Sequence, residues 1–131
     1  MSGYSFDANI LIDALWDHPP AHEEIRRASA SGGRIWISRM AWIEVLSKGD
    51  ESLVRDALRF LARFSIDEVD EETALRAASL RRERPRLKLL DAIIFASAQV
   101  RGRVLITRNT RDFPAQMPGI RVPYRLERDP I

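Results

Sequence analysis

The sequence predicts an α/β domain built on a mostly parallel sheet, and three observations lead to that class. Ile35-Trp36-Ile37 and Val104-Leu105-Ile106 are continuous apolar runs, short enough for strands buried on both faces. Segments with helical periodicity stand between such runs, as expected of parallel strands joined by crossover helices. The 131 residues contain no repeat, low-complexity tract or linker, so residues 1–131 read as one domain.

Each element has its own signal. Tyr4 to Phe6 is a short apolar start, and Ala8, Leu11, Ile12, Leu15 and Trp16 then recur at helical spacing. His18-Pro19-Pro20 ends that helix, and Ala21 to Ala30 reads as the next. After the turn Ser31-Gly32-Gly33 and the strand Ile35 to Ile37, Ser38 can cap a helix running to about Ser47. Lys48-Gly49-Asp50 breaks it, and Leu53, Ala57, Leu58 and Leu61 mark another. Phe64 to Val69 suits a short strand, and Glu71 to Arg84 a helix with Ala74, Leu75 and Ala78 turned inward. Leu89 to Val100 is apolar almost all round and should be deeply buried. Arg101-Gly102-Arg103 ends it before the strand Val104 to Ile106, and Arg121 to Tyr124 suits a last edge strand.

Composition narrows the function classes. There is no cysteine, which excludes a disulfide scaffold, thiolate metal sites and a Cys nucleophile, and fits a reducing, cytoplasmic setting. The longest uncharged apolar stretch, Ala92 to Val100, is nine residues, far short of a membrane span. Met1 to Phe6 lacks the basic and apolar parts of a signal peptide. No glycine-rich phosphate loop supports a nucleotide-binding enzyme. Charge is uneven: residues 76–131 carry thirteen bases against five acids, and nineteen of the 21 bases in the chain are arginine. Arginine's planar fork suits phosphate, and an ordinary solvated surface is the competing explanation.

Four acids fall where chemistry is expected. In parallel sheets the site lies beyond the carboxyl ends of the strands. Asp7 follows the first strand, Glu44 lies within the helix after Ile37, Asp91 opens the buried helix, and Asp112 sits in the loop after Ile106. Capping alone would account for Asp7 or Asp91, and Asp112 alone could be a loop acid. Glu44 stands between Trp42-Ile43 and Val45-Leu46, where a lone carboxylate is costly to bury. Together, four carboxylates repel one another unless a cation joins them, and hard divalent ions with oxygen ligands supply one. Water activated by such an ion, attacking a phosphodiester, is chemistry that needs only these parts.

These residues also carry a resemblance. Phe6-Asp7-Ala8-Asn9-Ile10-Leu11-Ile12-Asp13 is similar to the opening motif of PIN-domain ribonucleases. Trp42-Ile43-Glu44-Val45-Leu46, Leu90-Asp91-Ala92-Ile93-Ile94-Phe95-Ala96 and Leu105-Ile106-Thr107-Arg108-Asn109-Thr110-Arg111-Asp112-Phe113 resemble the other three, with gaps of 37, 47 and 21 residues between the acids. The combination looks most like the VapC-type toxins of toxin–antitoxin pairs. The resemblance implies a three-layer α/β/α fold, RNA cleavage dependent on Mg²⁺ or Mn²⁺, a homodimer and a cognate antitoxin. It assigns metal binding to Asp7, Glu44 and Asp91, with Asp112 or Asn109 completing the set, and polar support to Asn9 and Thr107.

Residues outside the four acids carry weaker signals. Arg81, Arg82, Arg84 and Arg86, the densest basic run, and Arg108 are candidates for RNA phosphate, against a solvated helix end. His18 and His22 stand four apart with prolines between them, which reads as a loop and helix start, not a zinc site. Trp16, Trp36 and Trp42 read as core or dimer contacts. A PIN-like module that binds RNA or protein without cutting is the alternative function.

Overall fold

The computed structural model describes residues 3–127 and 129. Five strands form one sheet: β1 (Tyr4–Phe6), β2 (Ile35–Ser38), β3 (Ser65–Asp67), β4 (Val104–Ile106) and β5 (Ile120–Arg121). Their order is β3-β2-β1-β4-β5, and every pairing is parallel. The chain moves outward from β1 through β2 to β3, then returns to lay β4 against the other side of β1. The switch point of this doubly wound sheet therefore lies between β1 and β4, and the crevice beyond their carboxyl ends is where ligands bind in such folds.

Six helices complete the layers: α1 (Ala8–Leu15), α2 (Pro19–Ala30), α3 (Arg39–Leu46), α4 (Glu51–Leu61), α5 (Glu71–Glu83) and α6 (Leu89–Val100). Helix α1 packs on α2 and α3, α3 packs on α4, and α5 packs on α6. Because β3 to β4 reverses the direction of travel, right-handed crossovers put α5 and α6 on the opposite face, giving the expected α/β/α sandwich. Phe6, Ile10, Leu11, Ile37, Ile94 and Leu105 are fully buried between these layers. Among the described residues, no helix is long and apolar enough to cross a membrane.

Several local expectations change. Helix α2 starts at Pro19, not Ala21, because proline suits the first helical turn, where its missing N–H has no partner to lose. Leu75 is 65% exposed, and Thr73, Ala77 and Leu80 face the core in its place. The cap sets that phase: the Asp70 carboxylate accepts the Thr73 N–H at 2.9 Å and its hydroxyl at 2.7 Å. Asp91 does not cap α6. Lys88 holds the N-cap position and Asp91 lies inside the first turn, with Leu89 and Leu90 exposed before the helix becomes buried. Trp16 is 76% exposed and no part of the core. The last strand is two residues, and Tyr124 lies beyond it. His18 is the N-cap residue of α2 and its ring meets that of Tyr124 edge-on at 5.0 Å.

Candidate active site

Asp7 is placed by the backbone on both sides of it. Phe6 and Ala8 are buried, and the Asp7 N–H extends the β1–β4 ladder by donating to the Ile106 carbonyl at 2.9 Å. Its side chain is then forced into the switch-point crevice, where one carboxylate oxygen caps α1 by accepting the Ala8 N–H at 2.7 Å. The other accepts the Thr107 hydroxyl at 2.8 Å and lies 3.5 Å from the Asn9 amide nitrogen. Thr107 is itself buried at the end of β4, and its oxygen accepts the Asn109 N–H at 2.9 Å. Asn9 returns the contact to β4's loop: its carbonyl oxygen accepts the Arg108 N–H at 3.2 Å. Asn9 and Thr107 thus fix Asp7 between them.

Asp7, Glu44 and Asp91 line one cleft of about 510 Å³ with Asn9, Lys88 and Asn109. Asp112 lines a second, adjoining cleft of about 610 Å³, which shares Asn9, Lys88, Asp91, Arg108 and Asn109 with the first. The buried ring of Phe113, 5.0 Å from that of Phe95 on α6, anchors the loop that carries Asp112 beside Asp91. Asn109 commits both ends of its amide to Asp112, donating to the carboxylate at 3.0 Å and accepting its N–H at 3.3 Å.

The carboxylates feel one another. Burial is the main force pushing the Asp7 carboxyl up to about 7; the Thr107 bond opposes it, and the charges of Asp91 and Glu44 add to it. Burial likewise pushes Asp91 up to about 6, reinforced by Asp112 and Glu44 and opposed by Lys88. A cleft that raises two carboxyls in this way favours whatever brings positive charge into it. Among the described residues no three acids stand close enough to form a ready-made metal cage.

Residues 4–116 match the PIN domain family. The chain belongs to that family. This PIN domain is 27% identical over 132 residues to the tRNA(fMet)-specific endonuclease VapC of Salmonella typhimurium, covering 93% of this chain and 97% of the relative. Its fold is similar to that of a chain in a toxin–antitoxin complex from Klebsiella pneumoniae, with a TM-score of 0.83 and 36% identity over 94% of this chain and 99% of that one. DNA-bound VapBC from Salmonella typhimurium gives a TM-score of 0.74 at 27% identity, over 95% and 98% of the two chains.

The basic residues of this PIN domain divide sharply. Arg81 and Arg82 line a separate groove against Ala77 and Ile93, away from the acids. Arg81 also donates to the Leu87 carbonyl at 3.1 Å. Arg84 braces the acid loop by donating to the Asp112 carbonyl at 2.6 Å, and only Arg86 of that run lines the acid cleft. Arg108 borders both clefts, but its guanidinium is paired twice with Asp13, at 2.7 and 3.1 Å, and once with Asp129 at 2.9 Å. Those pairs occupy the guanidinium of Arg108, a candidate for RNA phosphate in the sequence. Tyr124 closes the network by donating to Asp13 at 2.6 Å.

Sequence reasoning missed this network. Asp13 gave a signal: it stands among Ile10, Leu11, Ile12, Ala14 and Leu15, a buried acid that demanded a cationic partner. Asp129 gave none, because its partner lies 21 residues away through irregular chain.

Proposed function

We propose that this PIN domain is a metal-dependent ribonuclease, the toxin of a toxin–antitoxin pair, acting on cytoplasmic RNA. One observation carries the catalytic reading: Asp7, Glu44 and Asp91, from three separate segments, line one cleft, and their charges help hold the Asp7 and Asp91 carboxyls high. Structural acids are normally paired with cations or caps; Asp7 does cap α1, but Glu44 and Asp91 cap no helix, and the three are gathered against their own repulsion. The similarity to an endonuclease VapC and to VapBC supports the same reading, as does that to a toxin–antitoxin complex. By analogy with those complexes, the partner is a cognate antitoxin, and a basic side chain is what the acidic cleft would accept from it.

The donor set fits Mg²⁺ or Mn²⁺: it is all oxygen, and its mutual repulsion is what such an ion relieves. The lack of a closed cage among the described residues is compatible with Mg²⁺, which takes few carboxylates and keeps several waters. Asp7, Glu44 and Asp91 would hold the ion directly or through its waters, with Asp112 completing the set, since Asn109 is already committed to orienting Asp112. When bound, the ion would lower the pKa of water and stabilise charge on the phosphoryl oxygens. Hydrolysis joins a water oxygen to phosphorus, breaks one P–O ester bond and returns a proton to the leaving oxygen. For that, Thr107, Asn9 and the Ala8 N–H keep Asp7 in a single orientation, so that little reorganisation is needed as charge develops.

The test is incubation of the purified chain with tRNA and with single-stranded RNA, in Mg²⁺ and in a chelator. Cleavage in Mg²⁺ that the chelator abolishes is expected, with loss of cleavage in Glu44→Gln. Tight RNA binding without cleavage in any metal would identify a binding module instead. Equal cleavage in the chelator would show that no metal is needed.

A further inference from the structure

Arginine is abundant throughout the chain, so abundance does not indicate which cations meet a ligand; pairing does. Arg86, Lys88 and Arg111 are all exposed, and among the described residues none of the three side chains makes a hydrogen bond or ion pair. All three line the 610 Å³ cleft that also holds Asp91 and Asp112. They come from two separate segments. Arg86 and Lys88 lie in the turn between α5 and α6, and Arg111 in the loop after β4. Flanking cations elsewhere are engaged: Arg84 on the Asp112 carbonyl, Arg108 on Asp13 and Asp129.

We propose that Arg86, Lys88 and Arg111 form a seat for the phosphates of a single RNA strand, on the Asp112 side of the acids. This deepens the ribonuclease reading and rests on it. Three cations with no direct side-chain partner, beside two carboxylates, present alternating charge, which a ligand must match with an anion at the rim and a positively charged species at the acids. A phosphodiester strand entering with its divalent ion does both. The described lining of this cleft contains no aromatic ring, so the bases have no stacking platform here and the strand is held by its backbone. The seat therefore sets the position of the strand relative to the acids and carries no base readout of its own.

The experiment measures binding of a labelled single-stranded RNA to the full chain in chelator, across a salt series. The variants are Arg86→Gln/Lys88→Gln/Arg111→Gln and a charge-matched control, Arg34→Gln/Arg55→Gln/Arg59→Gln, whose exposed residues precede β2 or lie on α4 and line neither acid cleft. Each cation that neutralises a phosphate of a single strand contributes roughly 0.7 to the slope of log K against log salt. The seat variant should therefore have a slope shallower by about 2, while the control keeps the wild-type slope and both melt as the wild type does. A seat variant with the wild-type slope, or a control that flattens as much, overturns the seat. If the wild type neither binds nor cuts RNA, the ribonuclease reading fails and the seat with it. If the wild type binds and cuts and the seat variant matches it, only the seat fails.

Discussion

Thr107 donates its hydroxyl to Asp7 at 2.8 Å across 100 residues of chain, joining the ends of the two central strands at the point where the sheet reverses direction. The pair opposes, without cancelling, the upward push of burial on the Asp7 carboxyl. Thr107→Val keeps the shape and removes the hydroxyl, leaving the buried Asp7 acceptor and the Asn109 N–H each short of one bond, at about 1–3 kcal/mol each. Chemical denaturation should register that loss, and RNA cleavage should fall further than stability does. Thr107→Ser, which retains the hydroxyl, should restore most of both.

The raised carboxyl of Asp7 makes stability depend on pH in a definite direction. Its folded pKa of about 7 exceeds the unfolded value near 3.8, so the folded state binds the extra proton between them. Its contribution is complete below pH 3.8 and lost as pH rises through 7, a change on the order of 4 kcal/mol. Acids held low, such as Glu24, change stability in the opposite sense over the same range, so the readout is the difference between metal-free wild type and Asp7→Asn, which should shift against the wild type from pH 4 to pH 7. A difference that stays constant across this window would show that Asp7 is not held high.

Asp91 tests whether the acids are coupled. It does not cap α6, so Asp91→Asn should leave the metal-free protein unharmed or slightly more stable, one repulsion being removed. Added Mn²⁺ should raise the melting temperature of the wild type, because an ion bound only by the folded state stabilises it by mass action. The variant should respond weakly or not at all. Equal responses in the two melting curves would dissolve the metal assignment.

The Arg108–Asp13 pair is nearly enclosed, with side chains 13% and 10% exposed. Removing one partner strands the other, so Arg108→Met or Asp13→Leu alone should cost roughly 3–5 kcal/mol. The double substitution should cost less than the two singles combined, because Asp13 and Arg108 no longer strand each other, while Asp129 loses its cation equally in Arg108→Met and in the double variant. Denaturation of the four proteins measures that difference, and strict additivity would mean the pair is not coupled.

The sheet was legible because β2 and β4 are short, largely apolar runs, as strands buried on both faces require. Asp7, Glu44 and Asp91 were legible for the complementary reason: each is a charge set into or against apolar sequence. Helix phase was less so. Periodicity around Ala74 and Leu75 fits two rotations, and Asp70 chooses between them through a cap that lies outside the periodic segment. Cation partners were least legible, since Arg81, Arg84 and Arg86 look alike in sequence. Their roles differ only because α5 ends where it does, turning one toward a backbone carbonyl, one toward the acid loop and one into the cleft.

Single-turnover RNA cleavage decides whether Asp7 and Asp91 act as one site. Rates would be measured for the wild type, Asp7→Asn, Asp91→Asn and the double variant at saturating Mg²⁺. Each single substitution should lower the rate by several orders of magnitude, and the double should be scarcely worse than either, because residues that act as a unit are lost together. Two modest losses that multiply in the double variant would mean that the acids work independently and share no site.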